Sequence, residues 1–160
     1  YVYLRSLKGP HKYKGKTLDF ECVDGYTMIM GSAKSHSGYT VHSAWYFAGG
    51  ALKDMRKCYV AKADGLTAHG KTIKTAVDDL QYKIADNADK ASLAADVIKT
   101  QRVTLAQFRG LTGACREGIS AHLSGVGIDL EVVDDMPLAD AIKAMSGTSY
   151  GDAFMRHVQP

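Results

Sequence analysis

The feature that most constrains the fold is a change of hydrophobic period partway along the chain. In the first half, residues 18–23 alternate apolar and acidic or polar side chains, the period-two signature of a half-buried strand. Asp24-Gly25 follows, a pair that tolerates positive φ and so predicts a hairpin turn, with residues 26–30 as the returning strand. Residues 39–47 are rich in aromatic and β-branched side chains and stop at Gly49-Gly50, and residues 56–63 form a further strand closed by Asp64-Gly65. Residues 1–4 are a short β-prone run. The basic segment 8–16 and the Ser- and Gly-rich segment 31–38 read as loops.

From Thr72 the period becomes helical. Ile73, Val77, Leu80 and Ile84 fall on one face, with Thr72 as N-cap and residues 86–90 as the exit loop. Residues 91–99 predict a short helix. Thr104 opens a longer one through residue 123, with Leu105, Phe108, Leu111, Cys115, Ile119 and Leu123 on its apolar stripe. Gly110, Ala114 and Gly118 recur every four residues there and predict close packing by another element. Leu111-Thr112-Gly113 with Ile119 has a helix-turn-helix flavour, but Arg109 stands where a small residue is usual, so an unbroken helix is the expectation. Residues 128–133 predict a short extended segment, and Pro137 fits the first turn of a final helix through Met145. Strands followed by helices predict an α+β fold, an antiparallel sheet from the first half packed against helices from the second. The expected organisation is a single domain over residues 1–160, with strands mainly in 1–65 and helices mainly in 66–160.

Composition narrows the function classes. Apolar residues make up 46% and charged residues 23% of 160, a globular balance rather than a disordered one. No apolar run approaches the roughly 20 residues that a bilayer requires, so no membrane role is expected, and no signal-peptide pattern opens the chain. It begins at Tyr1 without a methionine, which makes an upstream segment an expectation. Cys22, Cys58 and Cys115 are odd in number and widely spaced, against a disulfide framework or a zinc site and in favour of a reducing, cytoplasmic setting. The net charge of +3 conceals a division: 12 Lys and Arg against 5 Asp and Glu through Thr75, then 8 against 12 from Ala76. A basic N-terminal half can meet nucleic acid or an acidic protein surface, or can pair with the acidic half.

Gly65-Leu66-Thr67-Ala68-His69-Gly70-Lys71-Thr72 satisfies GxxxxGK[ST], in which backbone amides cradle phosphates, the lysine reaches the terminal ones and the hydroxyl holds magnesium. Gly65, Gly70, Lys71 and Thr72 are therefore the candidate nucleotide-binding residues. The parallel sheet that this motif needs is not predicted, because an antiparallel meander precedes it and helices follow. The same residues have local work: Gly65 turns the chain and Thr72 caps a helix. Cys115 is the candidate nucleophile and His69 its candidate base, but a cysteine on an apolar helical stripe more often serves as a small hydrophobe. The six histidines show no HxxxH or HExxH spacing, and His36 and His42 are the pair that a bend would bring together. No metal, cofactor or catalytic residue is assigned.

Two blocks carry a family resemblance. One runs from Tyr59-Val60-Ala61-Lys62-Ala63-Asp64-Gly65 through Ala68-His69-Gly70-Lys71-Thr72 to Ala76-Val77-Asp78-Asp79-Leu80-Gln81-Tyr82-Lys83. The other is Leu111-Thr112-Gly113-Ala114-Cys115-Arg116-Glu117-Gly118, followed by Ser149-Tyr150-Gly151-Asp152-Ala153-Phe154. Over roughly residues 56–154 the chain resembles a C-terminal module of proteins encoded by phages and mobile elements. The resemblance brings no established activity. It implies an accessory protein in the cytoplasm of an infected cell, and a family in which the HGxT core recurs while the lysine and first glycine of the nucleotide motif vary. The resulting expectation is a non-enzymatic binding module that engages a host protein or nucleic acid through its basic N-terminal half, in host takeover or counter-defence. The alternatives are a nucleotide-binding or Cys-dependent enzyme, and a structural component of a particle, which homo-oligomer formation would mark.

Overall fold

The computed structural model describes residues 7–48 and 54–159. The β-prone run at 1–4 and the Gly49-Gly50 stop lie outside the described residues. The chain is α+β, and it divides into two compact units, Tyr1–Leu80 and Gln81–Pro160.

Among the described residues the first unit is built on six strands, β1 (Gly9–Tyr13), β2 (Lys16–Val23), β3 (Tyr26–His36), β4 (Tyr39–Phe47), β5 (Met55–Ala63) and β6 (Leu66–Gly70). They pair antiparallel in sequence order as one meander. Two-residue turns set the register at Lys14-Gly15, Asp24-Gly25 and Asp64-Gly65, where both residues have positive φ, between 48° and 81°. That is the type I′ signature, whose twist matches that of the flanking strands. Two segments expected as loops are therefore strands. Residues 8–16 contain β1 and its turn. Residues 31–38 continue β3 to His36 through a bulge between Met30 and Ala33, where a Cβ on Gly31 would lie 2.6 Å from the Ser43 hydroxyl. The strands also run past residue 65, through β6.

The register gives the sheet two faces. One carries Val23, Met28, Ala44, Cys58 and Val60, which form a buried cluster with Met30 and Tyr46 packed on it. Strands β2 and β5 are three places apart in the order, roughly 14 Å in a flat sheet at ~4.8 Å per strand. Yet Lys62 on β5 bonds both carboxylate oxygens of Glu21 on β2 at 2.5 Å. The sheet therefore curls around this cluster until β2 approaches β6.

Helix α1 (Ile73–Asn87) follows β6 and carries the chain from the first unit into the second. As expected, Thr72 caps it, its hydroxyl accepting from the Thr75 amide at 3.1 Å. The second unit adds α2 (Lys90–Thr100), β7 (Arg102–Thr104), α3 (Leu105–Thr112), α4 (Arg116–Gly125), β8 (Asp135–Pro137), α5 (Leu138–Ala144) and α6 (Ser149–Val158), with β7 and β8 paired antiparallel. Val97, Phe108, Leu111, Ile119, Leu138 and Phe154 belong to its buried core, and the Phe108 and Phe154 rings lie 4.8 Å apart. Side chains close the helix starts: Asp89 on α2, Thr104 on α3 in a reciprocal box with Gln107, and Thr148 on α6.

The unbroken helix expected over 105–123 is instead two helices. Gly113 takes the left-handed conformation at φ 74° and its amide bonds the Arg109 carbonyl, which ends α3. Cys115 then caps α4, its Sγ accepting from the Gly118 amide at 3.3 Å. The stripe misleads because both helices bury their apolar positions in one core; Cys115, placed on that stripe by spacing, is exposed. Close packing at Gly110 is real, since an added Cβ there would meet Ala85 of α1 at 3.0 Å. The strand near residue 130 falls at 135–137 rather than 128–133.

Candidate functional site

Within Gly65–Thr72 the nucleotide-motif residues have structural partners. Gly65 is the second residue of a hairpin turn, and Leu66 to Gly70 form strand β6 in register with β5. At Gly70 an added Cβ would sit 2.5 Å from the Ala76 nitrogen, so the junction into α1 admits only glycine without displacement. The Thr72 hydroxyl is engaged by the Thr75 amide and lies 2.9 Å from the Thr75 hydroxyl, while Lys71 is exposed. The segment is a strand and a helix cap, so it presents no loop of inward-pointing amides. His69 belongs to the first unit and Cys115 to the second. The structure gives each its own partner, Asp24 for one and the α4 amide terminus for the other.

The partner of His69 was not legible in the sequence, 45 residues separating the two. An Asp24 carboxylate oxygen accepts from the His69 backbone amide at 3.0 Å and lies 2.5 Å from His69 Nδ1. A carboxylate only accepts, so Nδ1 carries the proton and Nε2 is the acceptor in the neutral ring. Tyr26 and Tyr46 flank the imidazole at centroid distances of 5.3 and 6.3 Å and meet each other edge-on at 5.4 Å. Chemically this is an oriented acid–base pair walled by aromatic rings. Its mechanical effect is to hold the β2–β3 turn against β6 and keep the sheet curled. No group of three or more metal-ligating side chains occurs among the described residues.

The remaining histidines do not converge. His36 pairs with Tyr39 across its hairpin and His42 with Ala33, which separates the two that a bend was expected to join. His11 packs edge-on against Phe20 at 5.6 Å, and His122 Nε2 donates to the Ala144 carbonyl at 2.7 Å. In the acidic segment of the second unit, Asp135 takes a two-pronged ion pair from Arg102 at 2.7 and 2.8 Å. The guanidinium holds the Asp135 carboxyl below the usual carboxylate range.

A second feature of the first unit is charge. A meander places the β1–β2, β3–β4 and β5–β6 turns at one end of the sheet. At that end Lys12, Lys14, Lys16 and Lys34 are all exposed. Tyr13 keeps 47% of its surface accessible, and Lys14 Nζ lies 5.5 Å from its ring centre. His36 stacks on Tyr39 at 4.9 Å with the rings 14° from parallel. No helix among the described residues is long and apolar enough to cross a membrane. Comparison with family models, curated proteins and solved structures finds no match to this chain.

Proposed function

We propose that this chain is a non-enzymatic accessory module of a phage or mobile element that binds nucleic acid in the cytoplasm of the host, in takeover or counter-defence. One observation carries the nucleic-acid part: the charge divides as the structure does. The unit Tyr1–Leu80 has 12 Lys and Arg against 7 Asp and Glu, whereas Gln81–Pro160 has 8 against 10. Within the basic unit Lys12, Lys14, Lys16 and Lys34 lie exposed at the hairpin end, where phosphates can be met. The phage assignment rests on the resemblance of residues 56–154.

The helix–turn–helix of the second unit does not support a competing duplex-reading surface. On α4 the exposed positions include Glu117, Gly118, Ala121 and Ser124, without a cation. Arg116 is committed to Glu131 at 2.7 Å. A helix that reads a major groove needs donors aimed outward. The nucleotide-binding alternative loses its motivation with Gly65 serving as a turn residue and Thr72 as a helix cap. A pulldown from host lysate with and without nuclease tests the reading. Recovery that disappears with nuclease is the expected result; one protein recovered equally well after nuclease treatment would move the function to a protein target.

A further inference from the structure

The outer face of the curled sheet, at its hairpin end, has the composition of a base-stacking platform. In β1 and β2, Tyr13 pairs with Lys16 and His11 with Leu18. In β3 and β4, Lys34 pairs with Val41 and His36 with Tyr39. Following the pleat through Phe20, Ile29 and Trp45, which are cross-strand partners, puts His11, Tyr13, Lys16, Lys34, His36 and Tyr39 on one face. It is the face opposite Met28 and Val60, which fill the inside of the curl. Rings and lysines therefore alternate across two neighbouring hairpins.

We infer that this face binds single-stranded nucleic acid, its tyrosine and histidine rings stacking on unpaired bases and Lys16 and Lys34 meeting the phosphates. The inference rests on the nucleic-acid reading above and names its substrate. The rings decide the class: a duplex hides its base faces, so phosphate contact alone would explain the lysines and leave the exposed rings without a role. An acidic peptide would likewise use the lysines only. His36 and Tyr39 are already stacked on each other, which lowers the ordering cost of receiving a base there.

The test is anisotropy of a fluorescent oligothymidylate of about 20 nucleotides, long enough for several stacking sites, against a duplex of equal length, with polyglutamate as competitor. The single strand is expected to bind more tightly than the duplex and to resist polyglutamate. Tyr13→Leu, which keeps apolar bulk, is expected to weaken single-strand binding by about fivefold or more, as is His36→Ala, while Tyr13→Phe retains it. Circular dichroism confirms that each variant is folded. Equal binding of duplex and single strand, or Tyr13→Leu behaving like Tyr13→Phe, overturns the platform and leaves nucleic-acid binding intact. Failure of both nucleic acids to bind overturns the parent reading as well.

Discussion

Asp24 shows how much one residue can be asked to do. Its backbone sits at φ 51°, which a short polar side chain tolerates in a type I′ turn, and its carboxylate joins that turn to β6 through two bonds to His69. Asp24→Ala removes both bonds and a turn-forming residue together. We expect a loss of about 1.5–3 kcal/mol in urea unfolding, the upper part of the range being softened by partial exposure. His69→Ala is expected to show coupling of about 1 kcal/mol with it in a double-mutant cycle; independent effects would show that the side-chain contact does not hold the curl. Cys58 is a second case. It is buried beside Met28 at 3.8 Å, and desolvation pushes its pKa up to about 11. The folded state therefore holds the proton more tightly than the unfolded chain. That contribution is complete below the ordinary thiol range and is lost as pH rises through about 11. Stability should fall with pH across the alkaline window, and Cys58→Ala should flatten the fall. In the native protein a thiol reagent should modify Cys22 and Cys115, which are exposed, well before Cys58.

At the scale of elements, the junction between α3 and α4 is the sharpest test of the second unit. Gly113 is left-handed, and Arg109 braces the turn from within, its guanidinium 3.9 Å from the Tyr82 ring centre and its Nε donating to the Ala114 carbonyl at 3.3 Å. Gly113→Ala should cost about 1 kcal/mol in thermal or urea unfolding through backbone strain alone. Arg109→Met should cost more than that, because it keeps the bulk but leaves the Ala114 carbonyl without its donor; equal costs would mean that the brace is idle. These residues also explain what was legible. Turns at Asp24-Gly25 and Asp64-Gly65 were readable because aspartate before glycine marks positive φ, and strand β4 and the Thr72 cap were readable from local pattern. Lys14-Gly15 has the same geometry, but lysine carries no such mark, so its hairpin reads as a basic loop. Gly113 reads as a helical small residue because the apolar spacing continues across it. The chemistry of the break lies in a backbone angle and a buried arginine, and neither is periodic.

At the scale of the whole molecule, charge is the property that sequence exposes most directly and interprets least. The surplus of lysine is visible in composition, but its meaning depends on the meander, which brings residues 12–16 and 34–39 to one end although most of two strands and a turn separate them. The Asp24–His69 pair was illegible for the same reason, its members being joined by curvature of the sheet. If the hairpin end meets a single strand through Lys14, Lys16 and Lys34, binding releases about as many counterions as there are phosphates neutralised. The slope of log affinity against log salt should then be about −2, at roughly −0.7 per contact. Lys14→Ala should reduce its magnitude by about 0.7 and weaken binding to every sequence alike, because a phosphate contact carries no base information. Tyr13→Leu should do the reverse, lowering affinity at all salt concentrations with the slope unchanged, since stacking releases no counterions. Measured together over one salt titration, the two variants separate electrostatic attraction from the ring contact. If both changed the slope equally, lysines and rings would be acting as one diffuse charged surface, and the division of labour across the hairpins would be wrong.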